Sequence, residues 1–191
     1  MAGIGKHGPC VVWFSGLSGA GKTTIAQIVE QRIAKCGCSS FLLDGDLVRN
    51  GLSNDLGFSE AARTENLRRS AEVAGLLADA GFIVLAAFIT PREVDRQRIR
   101  DILERHEVIE VFVDTALEVA ESRDAKGLYR RARNGEIPNF TGITAPFEPP
   151  LSADLRLDTA PYDAGTLAER VIEELIKRRV VASTTREVTS A

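Results

Sequence analysis

Cysteine and histidine are scarce in this chain. Three cysteines (Cys10, Cys36 and Cys38) stand in 191 residues. Their odd number and the lack of a C-x-x-C pair argue against a disulfide framework and for reduced thiols. Cys36 and Cys38, two positions apart, make a poor disulfide pair, and a redox role for them is left open. The two histidines, His7 and His106, show no ligand spacing with any cysteine, which argues against a structural zinc site. No apolar run reaches the length of a membrane span, and the opening MAGIGKHGPC has no hydrophobic leader segment, so a cytoplasmic protein is expected. The net charge of −3 gives no bulk attraction to nucleic acid or to an anionic membrane, so any anion site must be built locally. With no internal repeat and no linker, the length and the 44% hydrophobic content suit one domain over residues 1–179, followed by a frayed tail over 180–191.

Glycine is concentrated where it carries chemistry. The stretch GLSGAGKTT runs from Gly16 through Leu17, Ser18, Gly19, Ala20, Gly21, Lys22 and Thr23 to Thr24 and fits the P-loop pattern G-x-x-x-x-G-K-[ST]. Such a loop turns successive backbone N–H groups toward phosphate oxygens, which needs glycine where a Cβ would obstruct. Lys22 is then expected to reach the β- and γ-phosphates of ATP, and the Thr23 hydroxyl to ligate Mg²⁺. The context agrees. Val11, Val12, Trp13 and Phe14 form a β-prone run before the loop, and Ile25, Ile28, Val29 and Ile33 recur at helical spacing after it.

Extended and helical patterns alternate along the rest of the chain. Strands are expected at 40–46, 82–90, 108–115 and 154–159. Helices are expected from Ser59 or Thr64 to Ala80, over 92–106 with Pro91 at its first turn, over 116–123 and over 164–179. This is an α/β pattern: a five-stranded parallel sheet with helices on both faces and ligands at the carboxyl ends of the strands. Residues 124–150 form a long connection carrying Lys126, Arg130, Arg131 and Arg133, which reads as a mobile, basic lid.

A P-loop does not by itself separate a kinase from a GTPase or a motor. The chain is too short for a motor and has no N-K-x-D run for reading guanine. A cationic lid suits charge neutralisation on a transferring phosphoryl group. Asp44 and Asp46, at the end of the second strand, can take a proton from an acceptor hydroxyl or help hold Mg²⁺ through water. From the residues alone the chain phosphorylates a small molecule. Two alternatives stay open: another hydroxylated acceptor (a nucleoside, gluconate or shikimate), or a catalytically silent nucleotide sensor.

The acceptor is suggested by resemblance. The run LDGDLVRNGLSNDLGFSEAARTENLRRSAEVAGLLADAG (43–81), with FITPREVDR (88–96), VIEVFVDT (108–115), KGLYRRARNGEIPNFTGI (126–143) and PFEPP (146–150), resembles the adenylylsulfate kinases over most of the chain. That resemblance implies transfer of the γ-phosphate of ATP to the ribose 3′-hydroxyl of adenosine 5′-phosphosulfate (APS), with Mg²⁺, by a homodimer. It leaves open whether the chain works alone or beside an ATP sulfurylase. Position by position, it implies Asp44 as base with Asp46 beside it, and Arg49, Arg63 and Asn66 as acceptor ligands. Phe58 and Phe140 would clamp the acceptor's adenine, Lys126 and Thr90 would contact substrate, and Arg123 would wall the ATP adenine site. The chain departs from the family pattern at Leu47, where asparagine is usual, at Thr90, where serine is usual, at Thr144, where aspartate is usual, and in PFEPP.

Overall fold

The computed structural model describes residues 7–182. Its five strands are β1 (Cys10–Ser15), β2 (Ser40–Asp44), β3 (Ile83–Ala87), β4 (Val108–Asp114) and β5 (Leu155–Asp158), and its helices are α1 (Lys22–Lys35), α2 (Gly45–Asn50), α3 (Glu60–Asp79), α4 (Glu93–Ile102), α5 (Leu117–Arg123), α6 (Leu128–Arg133) and α7 (Ala164–Lys177). All strand pairs are parallel, in the order β2-β3-β1-β4-β5. Burial follows that order. The inner strands β1 and β3 are buried at every residue, as a parallel strand covered on both faces must be, whereas the edge strands β2 and β5 each bury a single residue, Leu43 and Leu157.

Each face of the sheet has its own core. One joins Val12 and Phe14 to Ile25, Val29 and Ile33 of α1 and to Leu167, Val171 and Leu175 of α7. The other joins Val11 and Trp13 to Leu67, Ala71 and Ala74 of α3 and to Ile99 of α4. From β1 the chain moves outward to β2, returns to β3, and then crosses β1 to reach β4. The loop after β1 therefore lies at the point where strand order reverses, where such sheets bind ligands.

Boundaries differ from expectation where local chemistry intervenes. The second strand stops at Asp44 because that carboxylate caps the next turn, accepting from the Asp46 amide at 2.9 Å, so Gly45 and Asp46 already belong to α2. Pro91 lies outside α4, whose N-cap is Arg92. The strand expected over 82–90 ends at Ala87, and Thr90, beyond it, takes a positive φ of 45°. Val180 and Val181, expected in a frayed tail, are each 4% exposed, and the Val180 carbonyl accepts from the Gly8 amide at 2.9 Å. Residues 183–191 of that expected tail lie outside the described residues.

The packing of Val180 and Val181 generates a test. Replacing both with alanine is expected to cost about 2–3 kcal/mol of stability, from the buried methyl groups lost. Urea denaturation measures it, and an unchanged midpoint would mean that these residues are frayed after all.

Candidate active site

The P-loop is built from backbone. At Gly16 φ is 141° and an added Cβ would lie 2.5 Å from the Val113 carbonyl, so only glycine lets β1 turn into the loop. Gly21, with φ 105°, is the N-cap of α1 and offers no side-chain cap, and the first turn of the helix holds no acidic residue. The first-turn N–H groups therefore have no partner among the described residues, an arrangement suited to phosphate. Behind the loop, the Ala20 carbonyl accepts from Thr115 Oγ1 at 3.1 Å and from Arg123 at 3.4 Å, and the Gly19 carbonyl accepts from Arg123 at 3.3 Å. Arg123, expected as a wall of the ATP adenine site, thus lies against the back of the loop.

Lys22 is 9% exposed. Its Nζ donates to the carbonyls of Gly16 at 3.0 Å and Leu17 at 2.7 Å. Burial, reinforced by the neighbouring charge of Lys126 and only partly opposed by Asp44 and Asp46, pushes its pKa from 10.5 down to about 8. Thr23 Oγ1 donates to Asp44 Oδ2 at 2.7 Å, so the expected metal-ligating hydroxyl and the expected base share one hydrogen bond. Asp46 pairs with Lys126, which joins α2 to the start of the 124–150 segment.

The residues expected to meet the acceptor gather around α2, α3 and the segment near residue 140. The Arg49 guanidinium lies 4.5 Å from the Phe58 ring centroid and donates to the Gly57 carbonyl at 3.1 Å. Phe58 is 59% exposed, so much of its ring is free for a second stacking partner. Arg63 bonds the Phe58 carbonyl at 3.0 Å, Thr141 Oγ1 at 2.8 Å and the Asn139 carbonyl. Three of its five N–H groups are thus used in tying the Phe58 loop to the residues on either side of Phe140. Burial lowers the pKa of both arginines, and in Arg49 the charge of Arg63 adds to this. Asn66, one turn from Arg63 on α3, is 4% exposed, and its Oδ1 has no partner. A buried acceptor of this kind calls for a donor from a ligand.

Other expected residues fall differently. Phe140, expected to clamp the acceptor's adenine, is 8% exposed and packs edge-on against Tyr129 at 5.0 Å, so it is a residue of the core. Thr90, expected to contact substrate, is 1% exposed. Its Oγ1 accepts from Trp13 Nε1 at 2.9 Å, and its carbonyl accepts from Arg96 at 3.1 Å. Its environment is therefore that of an interior anchor. The basic lid is less cationic than its sequence: Arg133 is bonded twice to Glu121 at 2.9 Å, and Arg131 pairs with Glu136 at 3.2 Å. Tyr129, Asn139 and Thr141 were not singled out in the sequence. The apolar pair Tyr129 and Ala132 beside Arg130, Arg131 and Arg133 was the available sign of a buried helical face.

A phosphate-binding loop at the switch point of a parallel sheet, with a carboxylate and two guanidinium groups across from it, defines a P-loop phosphotransferase. The comparisons narrow the class. The family model "Adenylylsulphate kinase" matches residues 8–158. The adenylyl-sulfate kinase of Vibrio parahaemolyticus serotype O3:K6 is 52% identical over 181 residues, covering 95% of this chain and 88% of that protein. That of Geotalea daltonii is 57% identical over 154 residues, covering 81% of this chain and 76% of that protein. Among solved structures, the Mycobacterium tuberculosis APS kinase CysC in complex with AMPPNP and APS superposes with a TM-score of 0.86 at 46% identity, covering 91% of this chain and 99% of that one. The chain belongs to the adenylylsulfate kinase family.

Two tests follow from the geometry. Thr90→Val leaves the buried Trp13 N–H without an acceptor and is expected to cost about 1–3 kcal/mol in urea denaturation. A raised KM for APS at unchanged stability would instead make Thr90 a substrate ligand. The second test concerns Lys22. Its depressed pKa means that the unfolded chain holds more protons than the folded one between pH 8 and 10.5. The burden of the buried charge is therefore full below about pH 8 and is relieved above it. Phosphate oxygens restore the ammonium, so nucleotide binding should take up a proton as the pH rises through about 8, and affinity should fall there. Calorimetry with AMPPNP in buffers of different ionisation enthalpy measures the uptake, and equal uptake at about pH 7 and pH 9 would contradict it.

Proposed function

We propose that this chain transfers the γ-phosphoryl group of ATP to the ribose 3′-hydroxyl of APS, giving PAPS and ADP. It would do so as one kinase domain over residues 1–179, whose segment 124–150 closes over the reacting groups. One observation carries the assignment of roles: the 2.7 Å hydrogen bond between Thr23 and Asp44. It brings a carboxylate from the end of β2 to the nucleotide loop, where an acceptor hydroxyl would have to approach the γ-phosphate.

The mechanism follows from the side chains. Lys22 exchanges its two loop carbonyls for phosphate oxygens, and the amides at the start of α1 hold the same group. Arg49, Arg63 and Asn66 orient the acceptor, while the free area of Phe58 and the edge of Phe140 meet its adenine. Asp44 Oδ2 accepts the proton of the 3′-hydroxyl as the new P–O bond forms and ADP leaves. Catalysis is mainly positioning and electrostatics, and losing one such donor costs about 3 kcal/mol of transition-state stabilisation.

Thr23, and Asp44 through water, would hold Mg²⁺. Both offer hard oxygen donors, and no group of three or more His, Cys, Asp or Glu suited to a metal occurs among the described residues. This fits an ion that relies on the nucleotide's own oxygens. When bound, it neutralises charge on the β- and γ-phosphates. A homodimer acting in cytoplasmic sulfate activation is supported by family membership. No helix of the described residues is long and apolar enough to cross a membrane.

Asp44→Asn keeps a partner for Thr23 but removes the base. We expect PAPS formation to fall by at least about a hundredfold, with AMPPNP affinity within a few-fold of the unmodified chain. Near-normal turnover in an ADP-release assay would take Asp44 out of the base role. ADP release with gluconate, shikimate or a nucleoside but not with APS would replace the acceptor.

A further inference from the structure

Tyr129 touches both the P-loop and Phe140. It is 1% exposed. Its hydroxyl donates to the Ser18 carbonyl of the P-loop at 2.8 Å, and its ring meets Phe140 edge-on, with centroids 5.0 Å apart and planes at 76°. Its own amide is held by Asp124 Oδ1 at 3.0 Å, so the ring is fixed at the backbone as well as at its tip. Burial, with Glu121 and Asp124 adding to it, pushes the phenol up to about 12, so it remains a donor at any working pH.

Both ends of this connection are stiff. In a trans peptide the C=O and N–H lie in one plane and point in opposite directions. Anchoring the Ser18 carbonyl therefore fixes the direction of the Gly19 N–H, one of the amides expected to meet phosphate. At the other end, the Phe140 carbonyl accepts from the amides of Ile143, Thr144 and Ala145 at 3.0, 2.9 and 3.0 Å, and the Phe140 amide donates to Thr144 Oγ1 at 2.8 Å. The same turn touches the P-loop a second time: a Cβ on Gly142 would lie 3.1 Å from Leu17 Cδ2 and 3.1 Å from Leu117 Cδ1. Phosphate on the Gly19 N–H would polarise that peptide and strengthen the bond from Tyr129 to its carbonyl, because hydrogen bonds in a chain reinforce one another.

We propose that Tyr129 is a positioning residue that couples nucleotide binding on the P-loop to the placement of Phe140 for the acceptor. This rests on the assignment of Phe140 to the acceptor's adenine. The coupling is reciprocal: whatever factor AMPPNP contributes to APS affinity, APS contributes to AMPPNP affinity.

The test is the ratio of the APS Kd without AMPPNP to that with it, measured by calorimetry. The unmodified chain should give a ratio above one. Tyr129→Phe keeps the ring on Phe140 but removes the bond to Ser18, and should cut the ratio by about two- to tenfold, the worth of one hydrogen bond. A ratio of one in the unmodified chain, or the same ratio in Y129F, overturns the proposal. Phe140→Ala separates the two layers. If F140A leaves APS affinity untouched, the adenine assignment itself fails; if it weakens APS while Y129F keeps full coupling, only the role of Tyr129 fails. Hydrogen exchange on the unmodified chain is independent of whether Y129F folds. AMPPNP alone should slow exchange at the amides of residues 143–145, and unchanged exchange there also overturns the proposal.

Discussion

The ammonium of Lys22 sits almost out of water with two loop carbonyls as its only hydrogen-bond partners among the described residues, and the surrounding architecture sustains that position. Removing a charge from water is costly unless it is paired, and here the nearest carboxylates are spent elsewhere: Asp44 on Thr23 and on the first turn of α2, Asp46 on Lys126. The result is a site under-neutralised on its own. It is satisfied when phosphate oxygens arrive and take the place of the carbonyls of Gly16 and Leu17. The bare first turn of α1 points the same way, with its N–H groups unpartnered among the described residues and no acidic residue in that turn. A helix meant only for stability would be capped there.

The acceptor half works by a different economy of charge. Of the basic residues that suggested a cationic lid, Arg131 and Arg133 are matched by Glu136 and Glu121. The positive field expected to face the acceptor comes instead from Arg49 and Arg63, which are both partly desolvated, and the charge of Arg63 further lowers the pKa of Arg49. Neither guanidinium is idle without ligand. Arg49 lies on Phe58, and Arg63 holds the loops that carry both aromatic residues. Their forks are thus preorganised, and little side-chain entropy would remain to be lost on binding an anionic ligand.

Much of this was legible in the sequence because it is local. The glycine spacing of the P-loop, the apolar runs of β1 and β3 and the 3.6-residue pattern of α1, α3 and α7 each follow from residues adjacent in the chain. What was not legible depends on contacts between distant residues. Thr90 looks like any polar residue at a strand end until Trp13, 77 positions away, donates to it. Val180 and Val181 look like a tail until the backbone of Gly8 reaches them. Arg131 and Arg133 look like free charge until helix geometry brings Glu121 and Glu136 within reach. Asp44 is the intermediate case: its place at the end of β2 could be read, but its bond to Thr23 depends on the order of strands across the sheet.

The departures from the family pattern make sense on the same grounds. Leu47 is 69% exposed on α2, so the fold asks nothing of that position, and an apolar residue there removes no described hydrogen bond. Thr144, where aspartate is usual in the family, does have work to do: its hydroxyl accepts the Phe140 amide at 2.8 Å and so closes the turn that presents the aromatic ring. A hydroxyl meets that requirement as well as a carboxylate oxygen would, since the amide needs a single acceptor. It also brings no negative charge to a turn expected to face an anionic acceptor, where a carboxylate would oppose the field of Arg49 and Arg63. The substitution therefore preserves the geometry of the clamp while making its surroundings more positive.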